Sequence, residues 1–370
     1  MSDGDLGEVL SLLERLVAFD TRNPPRAVDR GGIFAFIAAE LEPVGFSVEI
    51  TDLGEGCVSL LATRGSPYLL FNVHVDTVPA DPGWTRDPLR LVVEGDRAVG
   101  LGACDIKGAA ACLIDAARRT TGPVALLFTS DEEAGSSRCV KSFLGGLDEH
   151  RFGVVLVGEP TRCRAVVEHR GIATCTGEFH GAGGHASSAR ALEDSAVHEA
   201  VRWASRAIAF AEEHEARRYL ELSGIRFNLG VLQGGTKANM IASTATVRFG
   251  VRPLPNQRPD ELIDAITALA PRPDRVTWTP GFSAPPLPAG GADREGSNIF
   301  SDFLARELGL TPGPAVDFWT EAALFSAAGM TSVVYGPGDI AQAHTAGEWV
   351  ALSDLAEAAS TYRRLLRARD

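Results

Sequence analysis

Three observations predict an α/β protein with a mostly parallel central sheet and helices on both faces. Short apolar strands run nearly unbroken, helical patterns alternate with them, and charged residues fall just past their carboxyl ends. The chain has 370 residues, which suggests two domains. Apolar residues make up 45% and charged residues 22%, which excludes bulk disorder. With 48 acidic against 35 basic side chains the formal charge is −13, which argues against nucleic-acid or anionic-membrane partners, since both require a cationic face. Six scattered cysteines form no CxxC pair, so neither a zinc ribbon nor a disulfide framework is expected. The acidic start and the lack of an apolar run near the ~18 residues of a membrane span lead to the expectation of a soluble, cytoplasmic protein.

The elements follow in order. Leu6, Val9, Leu10, Leu13, Leu16 and Val17 recur at helical spacing, and Asn23-Pro24-Pro25 breaks the pattern. Residues 31–41 read as a second helix. Runs rich in leucine and β-branched residues at 46–50, 58–62, 69–75, 124–129 and 154–157 read as strands, with helices over 109–119 and 138–144. From Gly171 the texture changes. Residues 172–179, 225–232 and 244–252 alternate apolar with polar, and helices are expected over 195–213 and 260–269. That order describes a compact α+β unit, closed by a proline-rich stretch at 280–288. Strand-like segments at 314–318 and 331–335, with helices on either side, resume the first pattern. The expected organisation is one domain from residues 1–171 and 282–370, with residues 172–281 inserted in it.

Three successive strands deliver His74-Val75-Asp76, Asp131-Glu132-Glu133 and Gly158-Glu159-Pro160 to one sheet edge, where open α/β sheets place their ligands. His74 suits a borderline metal, with Asp76 accepting the ring's other N–H; the same pair also describes a hydrogen-bonded histidine at a strand end. Asp105 can bridge two cations or cap the helix that follows it. Of the adjacent Glu132 and Glu133, one can face a metal and the other act as general base, or both can favour a helix N-terminus. Glu159 and His344 complete a possible set of five ligands.

His74-Val75-Asp76, Cys104-Asp105-Ile106-Lys107-Gly108, Asp131-Glu132-Glu133, Gly158-Glu159-Pro160-Thr161 and Ala343-His344-Thr345 occur in that order. In this the chain resembles the co-catalytic zinc aminoacylase and carboxypeptidase family, which includes acetylornithine deacetylase and succinyl-diaminopimelate desuccinylase. The resemblance implies that His74, Asp105 and Glu159 hold one Zn²⁺ or Co²⁺ and that Asp105, Glu133 and His344 hold a second. It further implies that Glu132 is the general base, that Asp76 orients His74, and that the inserted unit serves as lid and homodimer interface. Gly181-Ala182-Gly183-Gly184-His185-Ala186-Ser187 is similar to the family's glycine loop, whose histidine stabilises the oxyanion; alone, His185 reads equally as a loop histidine. Lys237-Ala238-Asn239 and Arg252-Pro253 match the family's substrate-binding segments, although Arg252 also fits a strand-end salt bridge.

Leu101 stands where many members carry arginine, and Cys104 reads as a bystander beside Asp105. Gly336 to His344 and Phe318-Trp319-Thr320-Glu321-Ala322 look most like the acetylornithine deacetylase branch, and closer still to its variant acting on N-acetyl-L-citrulline. The implied activity is hydrolysis of an N-acetylated amino acid in arginine biosynthesis. Desuccinylase, dipeptidase or carboxypeptidase activity, or non-catalytic metal binding, are the alternatives.

Overall fold

The computed structural model describes residues 3–147, 152–289 and 295–367. The chain divides into two compact units, one of Met1–Val167, Ser297–Gly313 and Thr320–Asp370, the other of Glu168–Gly296 and Pro314–Trp319.

The first unit is built on a six-stranded sheet. Its spatial order is Ser47–Asp52, Val58–Arg64, Val124–Thr129, Leu69–His74, Val154–Val157 and Thr331–Val334. The last four strands pair parallel and the first two join antiparallel. Val124–Thr129 and Val154–Val157 are buried at every position, as strands covered on both faces must be. The helix Gly108–Arg118 is alanine-rich and buried through residue 117, and it packs against the helices Asp3–Ala18 and Leu352–Leu365. Leu13, Leu16, Phe34, Phe71, Leu113, Leu126, Phe128 and Tyr362 share this core. Phe71 and Tyr362 meet edge to face at 5.3 Å.

Register matters most for function. In the parallel pairing His74 lies opposite Thr129, and Asn72 opposite Val157. The carboxyl ends of three strands are therefore nearly level, so the segments that follow them leave the sheet on one edge.

The second unit is a four-stranded antiparallel sheet ordered Arg226–Gly234, Thr244–Arg252, Ile172–His180 and Val276–Ala284. The helices Ala196–Glu213 and Pro259–Thr267 pack on it. Burial alternates along Ile172–His180 and Thr244–Arg252, as one covered face requires. Trp203 fills the centre, with ring centroids 5.1 Å from both Phe249 and Trp278, and its indole N–H donates to the Ile266 carbonyl at 3.0 Å. Trp278 lies over Gly177, where a Cβ would come within 2.2 Å of its ring.

The structure differs from the sequence expectation at four places. Residues 314–318 form no strand: Val316 makes an isolated bridge to His169, Pro314 has no N–H to give a ladder, and the segment belongs to the second unit. That unit also runs from Glu168 to Gly296 rather than from 172 to 281. The reason is Arg170, fully buried, whose guanidinium bonds Asp317 at 2.5 Å and the Gly224 and Ser223 carbonyls at 2.5 and 2.7 Å. The strand Val276–Ala284 tolerates Pro280 because it is a sheet edge, with a register shift between Pro280 and Ser283. Last, Val92–Glu94, Arg97–Val99 and Trp349–Ala351 form a small sheet too short to read from pattern.

Trp203→Ala should destabilise the second unit by about 3–5 kcal/mol, since it removes a fully buried indole ringed by aromatics. Denaturant unfolding followed by circular dichroism would measure this, and a loss below about 1 kcal/mol would contradict the packing described.

Candidate metal centre

Within the first unit, the segments after three strands, the turn before the helix Gly108–Arg118 and the loop around His344 converge on two clusters. His74, Asp105 and Glu159 form one; Asp105, Glu133 and His344 form the other. In each, the candidate donor atoms lie within 4.8 Å of one another. Asp105 belongs to both. Its Oδ1 lies 3.1 Å from His74 Nε2 and its Oδ2 lies 3.3 Å from His344 Nε2. His344 Nε2 is also 2.8 Å from Glu133 Oε1, and His74 Nε2 is 3.8 Å from Glu159 Oε1.

Each side chain is held for a local reason. Asp105 does not cap the following helix: it sits at φ −120°, ψ 88° in an irregular turn, and that helix has no side-chain cap. Asp76 serves two neighbours at once, with Oδ1 3.4 Å from His74 Nδ1 and Oδ2 accepting the Glu133 N–H at 3.0 Å. His74 Nδ1–H also reaches the Asp76 carbonyl at 3.1 Å, which fixes the ring with Nε2 toward the acids. Glu132 and Glu133 lie in a turn, not at a helix start. The residue serving the helix Arg138–Gly145 is Asp131, whose Oδ2 accepts from the Ser136 hydroxyl at 2.6 Å, the Arg138 N–H at 2.5 Å and the Cys139 N–H at 3.2 Å.

The electrostatics say what is missing from this set of side chains. Burial pushes Glu159 well above the ordinary carboxylate range, opposed by His74 and reinforced by Asp105, Glu133 and Glu321. Burial raises Glu132 in the same way, with Glu133, Glu159 and Glu321 adding to it and His74 opposing. Only Asp105 is held low: hydrogen bonds from His344 and His74 outweigh its burial. His344, bonded to Asp105 and Glu133, is pushed up to about 11. Two imidazoles and three carboxylates, one of them common to both clusters, crowded and short of positive charge, are the donor set of a divalent cation pair.

The remaining expected residues belong to the second unit. His185 pairs across a two-residue ladder with Met240, and the Ala186 N–H donates to the Asn239 carbonyl at 3.1 Å. The glycine loop and the exposed Lys237 and Asn239 are therefore neighbours. His185 Nδ1 accepts the Ser187 N–H at 3.2 Å, which leaves the ring proton on Nε2, the donor an oxyanion needs. Arg252 lies at a strand end, close enough to His169 to disfavour its charging; burial and this neighbour together lower His169 to about 4. Trp319 is buried, with its indole N–H on the Pro285 carbonyl at 2.9 Å.

Cys104 donates to the Asp339 carbonyl at 3.3 Å, burial raises its thiol far above the ordinary range, and it belongs to neither donor cluster. To three acids the sequence reading gave no role of their own. Asp131 caps a helix that begins seven residues later, a spacing no capping motif shows. Glu321, pushed up to about 8 by burial and by Asp131 nearby, accepts the Thr129 hydroxyl at 3.2 Å across 192 positions. Glu348 accepts backbone N–H groups some 243 residues away. Asp131, beside Glu132, and Glu321, in Thr320-Glu321-Ala322, stood in motifs already singled out; Glu348 stood in none.

Zn²⁺ added to metal-stripped protein should raise its unfolding temperature, since a ligand held at a hundred times its Kd stabilises the native state by about 2.7 kcal/mol. Calorimetry would detect this, and the double substitution His74→Ala, His344→Ala should remove the gain.

Residues 70–368 match the model of peptidase family M20/M25/M40. The chain is 48% identical over 364 residues to an N-acetyl-L-citrulline deacetylase of Xanthomonas campestris pv. campestris, covering 98% of each sequence. It is 34% identical to an acetylornithine deacetylase of Myxococcus xanthus, over 96% of this chain and 95% of the other. An M20 family metallo-carboxypeptidase from Sulfolobus solfataricus shares the fold, with a TM-score of 0.74 at 17% identity, over 97% of this chain and 98% of that one. From ordered ligand motifs, converging donor clusters and matched length together, the chain belongs to peptidase family M20/M25/M40 and is similar over its whole extent to that family's amino-acid deacetylases.

Proposed function

We propose that this protein hydrolyses the amide of N-acetyl-L-citrulline, giving acetate and the free amino acid as a step of arginine biosynthesis. The observation that carries this reading is the 48% identity to an N-acetyl-L-citrulline deacetylase, sustained over 98% of both chains, in a chain that brings together two clusters of metal-ligand type. N-Acetyl-L-ornithine is the second candidate substrate, favoured by the 34% identity to an acetylornithine deacetylase.

His74, Asp105 and Glu159 would hold one Zn²⁺ or Co²⁺, and Asp105, Glu133 and His344 the other. Such ions supply Lewis acidity toward the amide carbonyl and lower the pKa of water. Glu132 then has the proton work. It takes a proton from the attacking water and passes it to the leaving nitrogen, so that the C–N bond breaks to a neutral amine. Its crowded, desolvated position supports this role, because a carboxylate whose pKa is raised takes up a proton more readily. His185 donates from Nε2 to the oxyanion, Arg252 offers a planar fork to the substrate carboxylate, and Lys237 and Asn239 complete the substrate-binding set next to His185, at the other end of the strand Thr244–Arg252. Asp76 keeps His74 in the tautomer that leaves Nε2 free for a ligand. A cytoplasmic homodimer formed through the inserted unit completes the proposal, with that unit acting as lid.

Glu132→Gln should lower kcat by about 10²–10⁴-fold while metal content stays at the wild-type level. Wild-type turnover in that variant would exclude Glu132 as the base. Initial rates on N-acetyl-L-citrulline and N-acetyl-L-ornithine, measured side by side, should favour the first; release of acetate from neither would overturn the reading. Mixing His185→Ala with Glu132→Gln chains should restore part of the activity if His185 serves the partner's site, and no recovery would place its action within one chain.

A further inference from the structure

Glu348 lies four residues after His344, immediately before the strand Trp349–Ala351, and is 1% exposed. Its side chain makes an unusual set of contacts. Oε1 accepts the backbone N–H groups of Cys104 and Asp105, both at 2.9 Å, and Oε2 accepts that of Gly102 at 3.0 Å. Its backbone works in the same direction. The Gly100 N–H donates to the Glu348 carbonyl at 3.0 Å, and the Glu348 N–H donates to the Thr345 carbonyl at 3.2 Å.

Both joined loops need an outside hold. Residues 102–105 form an irregular turn in which Gly102 has φ +76° and neither Asp105 nor Ile106 has helical torsions. No regular ladder satisfies its N–H groups, and a buried N–H without an acceptor is costly. His344 sits at φ +60°, a left-handed conformation that a residue with a Cβ adopts only when its surroundings impose it. One buried carboxylate binds the first loop and is rooted in the second.

We infer that Glu348 is a positioning residue: by clamping the 102–105 turn to the 344–348 loop, it sets the spacing of the Asp105 carboxylate and the His344 imidazole. This rests on reading the two clusters as a metal pair. A carboxylate suits the task because it has two acceptor oxygens and no hydrogen of its own. In Glu348→Gln the amide NH₂ would face a backbone N–H, leaving one donor of the turn unpaired. In Glu348→Asp the carboxylate withdraws by one methylene and can no longer reach all three donors.

The experiment titrates metal-stripped wild type, Glu348→Gln and Glu348→Asp with Zn²⁺ alone, by calorimetry, and records thermal unfolding of the same metal-free samples. The wild type should take up two ions per chain. Both variants should unfold, metal-free, close to the wild-type temperature, yet bind the weaker ion roughly 10–100-fold less tightly. With N-acetyl-L-citrulline, kcat should fall while KM holds. Unchanged Zn²⁺ affinity in both variants would overturn the inference and leave the metal reading standing. So would metal-free unfolding of both variants far below wild type, because the carboxylate would then be a strut of the fold. A wild type that takes up no Zn²⁺ would overturn the metal reading, and this assignment with it.

Discussion

The structure of the candidate centre turns on a single carboxylate. Asp105 faces His74 with one oxygen and His344 with the other, and those histidines lie 270 positions apart, the second 239 residues beyond Asp105 itself. Neither cluster exists without it. The surrounding contacts hold Asp105 and its neighbours in place. The parallel register levels the strand ends, Asp131 closes the turn bearing Glu132 and Glu133, Asp76 links that turn to His74, and Glu348 grips the backbone of Asp105.

The cost of this arrangement is electrostatic. Asp76, Asp131, Glu159, Glu321 and Glu348 are all nearly inaccessible to solvent, in one unit of an already acidic chain. Burying like charges together opposes folding unless positive charge enters. Backbone N–H groups relieve the outer members, Asp131 and Glu348, which accept them directly. The inner members have less: Asp76 accepts the Glu133 N–H and Glu321 the Thr129 hydroxyl, and beyond these they have two imidazoles and each other. A cation pair is the economical answer for the inner set, and backbone capping for the outer.

The second unit is organised on different physics. Its core is a knot of aromatic rings around Trp203, and its loops carry His185, Lys237 and Asn239 on a short ladder of their own. These polar residues are exposed, so their conformations come from local hydrogen bonds such as that between Ser187 and His185, not from burial.

By itself the sequence determined the alternation of buried strands and helices, the alternating sheet of the inserted unit and the identity of the ligand-type residues. Each of these is written in local periodicity or in short motifs. It could not exclude Asp105 as a cap of the following helix, because that role fits the same residues; the irregular turn excludes it. Nor could it reveal Arg170 extending the second unit, Glu321 beside Thr129 or Glu348 beneath Asp105. Those depend on contacts across 147, 192 and 243 positions, and a side chain's partner at such separation is set by how sheets and loops pack, which no local pattern records.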